Sequence, residues 1–187
     1  METRTIFFIG KPGCGKDTQA EFLSKTTLWP IVSAGDQFRA LAEEESVLGR
    51  KIKKEIDAGA LAPDWLAMHL YLTALLKLTD DNSVIFDGFS REVSQAKLIV
   101  KSLTWLKRPF TVLNVAVSDE SVKQRLALRA QTSGRADDGV VEERLKEYYA
   151  HTGPAIEFFK KEGALVEING EPSPEAIAAD VRAALKI

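Results

Sequence analysis

The feature that most constrains this chain is Gly10-Lys11-Pro12-Gly13-Cys14-Gly15-Lys16-Asp17-Thr18, set directly after the apolar run Thr5–Ile9. A β-prone run stops at a glycine-rich turn, a lysine follows, and a helical pattern begins at once. Glycines let such a turn curl with its amide hydrogens inward, the helix N-terminus adds partial positive charge, and the lysine reaches outer phosphates. The segment reads as a cradle for a nucleotide polyphosphate, with Gly13, Cys14, Gly15, Lys16, Asp17 and Thr18 as its lining.

Further strand-like runs recur at 31–32, 84–86, 111–117 and 164–168, with long helix-period segments between them. Strands alternating with helices predict a parallel sheet covered on both faces. Ligands on such sheets bind beyond the carboxyl ends of the strands. The segments to watch are therefore 10–18, 33–39, 87–91, 118–129 and 169–172. Residues 35–79 are helical in pattern, with Gly59 closing one helix and Pro63-Asp64 opening the next over 65–78. A polar, glycine-bounded segment near 131–139 has the composition of a small lid. Asp36 either caps a helix beginning near Gln37 or shares in holding a metal ion, and the capping role is preferred.

Length and charge narrow the function. The chain has 187 residues, 45% of them hydrophobic, enough for one domain with a full core. Its 25 basic and 27 acidic side chains give a net charge of -2, so no bulk basic field points to nucleic acid. No apolar stretch reaches membrane-spanning length. The single cysteine, Cys14, excludes an internal disulfide and a cysteine-built zinc site. A cytoplasmic location is expected. At a helix N-terminus Cys14 is either a reactive thiol or a small loop residue, and the second reading is preferred.

Six motifs in fixed order carry a resemblance. They are Gly10 to Gln19, Ser33-Ala34-Gly35-Asp36 with Arg39, Asp57-Ala58-Gly59, Asp87-Gly88-Phe89-Ser90-Arg91 with Gln95, Arg125 with Arg129, and Gly134-Arg135-Ala136-Asp137-Asp138 followed by Arg144. In these the chain resembles the adenylate kinase branch of the nucleoside monophosphate kinases, in its short-lid form. The resemblance implies a three-layer α/β P-loop fold around a five-stranded parallel sheet. It further implies a core of residues 1–34, 64–129 and 140–187, a helical monophosphate-binding insert over about 35–63, and a lid over about 130–139. The implied reaction is reversible, magnesium-dependent transfer of the ATP γ-phosphoryl to a nucleoside monophosphate, by a monomer.

On that resemblance Lys16, Arg91, Arg129, Arg135 and Arg144 are the catalytic cations. ATP would lie on residues 13–18, Arg125, Arg129 and Pro172. The monophosphate would lie on Ala34, Arg39, Ala60, Leu61, Ala62, Gly88, Phe89, Ser90, Arg91, Gln95, Arg135 and Arg144. Asp87 would hold magnesium through water, which suits an ion that takes only one or two carboxylates. Guanidinium groups grip phosphate oxygens bidentately, as offsetting two polyanions requires.

Three departures stand out. Asp17 fills a slot where the general loop has Ser or Thr and these relatives have glycine. It is read as a solvent-facing acid of the first helical turn in preference to a metal ligand. Ser90 replaces a proline and is expected to loosen its turn slightly. Five residues separate Asp138 from Arg144, fewer than the resemblance implies.

Gln95 can present a donor and an acceptor to a base edge, which favours AMP; Ala34 is a feature shared with UMP/CMP kinases. AMP is preferred, since hydrogen-bonding sites discriminate more sharply than apolar ones. The alternatives are a UMP/CMP kinase and an inactive nucleotide-binding protein. His69 and His151 read as structural, and Tyr148, Tyr149, Phe158 and Phe159 as core-facing.

Overall fold

A computed structural model describes residues 4–133 and 139–187. Five strands form one sheet: β1 (Thr5–Gly10), β2 (Ile31–Ser33), β3 (Val84–Asp87), β4 (Phe110–Ala116) and β5 (Leu165–Asn169). Their spatial order is β2-β3-β1-β4-β5 and every pairing is parallel. The sequence-based strands agree to within a residue or two at each end.

Alternation within β1 explains the three layers. Phe7 and Ile9 face one way, onto Tyr71, Phe86, Phe89, Ile99, Leu103 and Phe159. Ile6 and Phe8 face the other, onto Leu23, Val122, Leu126, Ile177 and Val181. The first side is covered by α4 (Asp64–Leu75), α5 (Val93–Trp105) and α8 (Gly153–Lys161). The second is covered by α1 (Lys16–Thr27), α6 (Asp119–Ser133) and α9 (Pro174–Leu185). Both faces being buried is what makes these strands nearly continuous apolar runs. Among the described residues, no helix is long and apolar enough to cross a membrane.

Two further helices, α2 (Ala34–Ala42) and α3 (Val47–Asp57), make up the stretch between β2 and α4. Helix α2 begins three residues before the sequence-based start, and its cap is Ser33, whose hydroxyl accepts from the Asp36 amide at 3.2 Å. Asp36 is thus displaced from the capping role and pairs with Arg39 instead. Gly59, at φ 77°, lies just past the end of α3 as expected.

The short helix α7 (Val141–Glu147) runs into α8 through a π-helical turn, Tyr148–Thr152. Pro154 accounts for it. Proline has no N–H for the carbonyl four residues back, and the chain widens by one residue there. The Gly153 amide donates to the Tyr148 carbonyl, five residues behind. The extra residue rotates the register. Thr152 becomes 4% exposed while Tyr149 is 53% exposed, so the core position expected for Tyr149 is overturned. Phe159 is fully buried, Tyr148 and Phe158 partly so, and His69 and His151 are exposed.

Candidate active site

The carboxyl ends of β1, β2 and β3 meet at one level. Phe8 of β1 and Ser33 of β2 both register with Asp87 of β3. The loop after β1 turns sharply at Gly10, whose φ of 147° and approach to the Val115 carbonyl leave no room for a side chain: a Cβ would lie 2.7 Å from that oxygen. Lys16 then opens α1 beneath the cleft.

Lys16 stands between two acids. Its ammonium pairs with Asp17 and lies 4.0 Å from Asp87 Oδ1. Burial pulls the lysine down, and the charges of Asp17 and Asp87 more than restore it, so it stays protonated. Asp17 keeps nearly half of its side chain exposed, as expected of a first-turn acid, while its carboxylate also pairs with the lysine. Burial lifts the Asp87 carboxyl to about 6 against the pull of Lys16, and the Asp17 charge adds to the rise. Asp87 Oδ1 is buried with no hydrogen-bond partner. A buried acceptor oxygen of this kind suits a hard oxygen-seeking cation such as magnesium.

Cys14 is wholly buried in the loop, and burial raises its thiol above the usual value despite Lys16 nearby. That supports the small loop residue over the reactive thiol. Next to it, Lys11 donates to Asp119 at 2.5 Å, and the Tyr149 hydroxyl donates to the same oxygen at 2.7 Å. This clasp ties the loop to the start of α6 and to the π-helical turn, three segments that no local pattern links.

Arg91 is held on three sides. Its Nε donates to the Gly88 carbonyl at 3.0 Å, its amide donates to Gln95 Oε1 at 2.9 Å, and its carbonyl accepts from Thr152 Oγ1 at 3.2 Å. Gly88, at φ 72°, holds a left-handed conformation that favours glycine, and a Cβ there would press on the Arg91 guanidinium at 3.2 Å. Ser90 has φ 65°, which a proline ring fixed near -65° cannot adopt. The serine is not a looser proline; its turn is folded differently. Phe89 and Ser90 are 1% and 0% exposed, and neither lines the cleft. Gln95 lines it, but its carbonyl oxygen is already committed to Arg91, which leaves the carboxamide nitrogen as its remaining polar group.

Two cavities meet at this point. One is lined by Ala34, Arg39, Ala60, Leu61, Ala62, Asp87, Gly88, Arg91, Gln95 and Arg144, together with Phe38, Ile56, Gly59 and Ala67. Phe38, Ile56 and Ala67 form an apolar wall outside the six motifs, although they sit in the apolar stripes of their helices. The other cavity is lined by Cys14, Gly15, Thr18, Arg125 and Pro172, with Leu126 and Ile177. Gly13, Asp17 and Arg129 line both. Arg125, which lines the second cavity, is fixed by donating to the Cys14 carbonyl at 3.0 Å and the Gly170 carbonyl at 2.7 Å. Of the expected site residues, Arg135 lies outside the described residues, as do Asp137 and Asp138.

Comparison with known proteins adds a family to this geometry. The family model described as adenylate kinase matches residues 8–164. The chain belongs to the adenylate kinase family. An adenylate kinase of Leptospira biflexa serovar Patoc is 37% identical over 177 residues, 93% of this chain and 95% of the relative. One from Phocaeicola vulgatus is 36% identical over 184 residues, 97% of each chain. A third, from Maricaulis maris, is 36% identical over 186 residues, 97% of this chain and 98% of the relative. The family expected from the motifs is thus borne out, and with it the enzyme class, a nucleotide phosphotransferase of the P-loop kind.

Proposed function

We propose that this chain catalyses reversible transfer of the ATP γ-phosphoryl to AMP, giving two molecules of ADP, with magnesium carried on the ATP. The observation that carries this reading is the pair of cavities sharing Gly13, Asp17 and Arg129. Phosphoryl transfer needs two polyanions held in line with positive charge around the moving group, and a shared boundary with cations on both sides supplies that.

ATP occupies the cavity of the phosphate loop, its adenine between Arg125 and Pro172 and its phosphates on the amides of 13–18 and on Lys16. AMP occupies the cavity of Arg39, Arg91 and Gln95, its base against Ala34, Ala60, Leu61 and Ala62. Gly88 gives Arg91 room, and Phe89 and Ser90 act from the buried side of that turn. Arg129 and Arg144 sit where charge builds on the transferring group; Arg135 joins them from the lid at about 130–139. Asp87 holds the magnesium ion through water, and the ion neutralises charge on the phosphates.

The insert over about 35–63 carries the monophosphate side and the remainder is the core. The enzyme works as a cytoplasmic monomer, free of nucleic acid, membrane and structural zinc. A coupled assay offering AMP, CMP and UMP at equal concentration tests the reading. AMP should be used fastest, and a tenfold lead for CMP or UMP would overturn the base assignment.

A further inference from the structure

In a phosphate loop, the residue directly after the lysine is the one whose side-chain oxygen meets nucleotide-bound magnesium. This chain places Asp17 there. The Asp17 and Asp87 carboxylates lie within 4.0 Å of the same Lys16 ammonium, and all three residues line one cleft. Asp87 is only 5% exposed, and its Oδ1 has no hydrogen-bond partner. Lys16 must leave Asp17 to meet a polyphosphate. Its departure removes the ammonium that both carboxylates share, and the buried Asp87 Oδ1 has no hydrogen bond to replace it. Such a pair opposes bare ATP by like-charge repulsion, whereas a hard dication that takes one or two carboxylates resolves it.

We propose that Asp17 is a direct carboxylate ligand, beside the water-mediated contact of Asp87, for the magnesium ion that enters with ATP. Once Lys16 turns to the phosphates, Asp17 and Asp87 would be the two acids that hold the ion, and it would offset their charge beside the nucleotide. Asp17 therefore makes ATP binding more strongly dependent on magnesium than a glycine or neutral side chain at this position would.

This inference rests on the cleft being the magnesium–ATP site. ATP affinity is measured calorimetrically in excess EDTA and in excess magnesium, for the native chain, Asp17→Gly and Asp17→Asn. The ratio of the two affinities should fall on the order of tenfold in both variants, chiefly because metal-free ATP binds more tightly. A carboxylate that only repels the nucleotide would also weaken metal-free ATP more than its magnesium complex, so an unchanged ratio overturns the proposal and the count of bound waters separates ligation from repulsion. As a second readout, manganese replaces magnesium in the ATP complex, and its bound waters are counted from line broadening in oxygen-17 water. The native complex should hold one water fewer than Asp17→Gly, and equal numbers overturn the proposal. Failure of ATP to bind with magnesium present would instead defeat the assignment of the cleft itself.

Discussion

The hydroxyl of Thr152 donates to the main-chain carbonyl of Arg91 across 61 residues of chain, at 3.2 Å. The bond exists because a proline-induced π-helical turn swings Thr152 inward from a helix that would otherwise present it elsewhere. It braces the backbone of a cation whose side chain and amide are already tethered to Gly88 and Gln95.

Thr152→Val keeps the shape of that side chain and deletes the donor. Turnover should fall about tenfold, because small misplacements of a catalytic group are costly, while the affinity for ATP stays unchanged. Thr152→Ser should restore most of the rate. Steady-state kinetics with AMP varied provide the check, and native turnover in the valine variant would remove Thr152 from any positioning role.

Lys16→Ala and Arg91→Ala should each reduce turnover about a hundredfold or more, on the scale found when a preorganised charge at a reacting centre is removed. Both proteins should keep a cooperative thermal transition by circular dichroism. A rate near native in either would contradict the assigned role.

Asp87 gives a pH-dependent prediction. Its carboxyl sits at about 6 in the folded protein against an ordinary 3.8. Between those values the folded state binds more protons than the unfolded chain, so this group lowers stability as pH rises through the window and by a constant amount above it. Asp87→Asn should therefore be more stable than the native chain at pH 7, by about 1 kcal/mol or more, with little gain below pH 4. Urea denaturation of the nucleotide-free proteins at several pH values measures it. A gain that did not grow between pH 4 and pH 6 would reject this account.

Ser90 occupies a left-handed conformation with its hydroxyl buried and unpartnered. Ser90→Gly relieves both penalties and should gain about 1 kcal/mol. Ser90→Pro demands a φ the turn does not have, and should cost about 3 kcal/mol or rearrange the loop. Equilibrium unfolding distinguishes the cases; equal stability of the two variants would show that the turn is not strained.

Much of this architecture is legible from local signals. The strand, glycines and helix around Lys16 are contiguous, so the phosphate loop follows from short-range chemistry alone, and Pro63-Asp64 marks the start of α4 in the same way. What escapes is relational. The start of α2 moved because a serine outcompeted the aspartate three residues on as cap. Tyr149 was misplaced because one proline shifts the helical register behind it. Asp17 pairs with a lysine whose ammonium also lies 4.0 Å from an acid seventy residues away, a relation no helix-turn rule contains. The clasp of Lys11, Asp119 and Tyr149 joins three distant segments and leaves no spacing pattern to find.

Helix α6 serves as floor and bearer at once. A Cβ on Gly13 would lie 2.9 Å from the Leu126 side chain, so the phosphate loop rests directly on the helix that carries Arg125 and Arg129. Any rocking of that helix moves loop and guanidiniums as one chassis. On the proposed function, the parts that would grip the triphosphate share one support, and the gap the phosphoryl group would cross lies between that support and the β3 side.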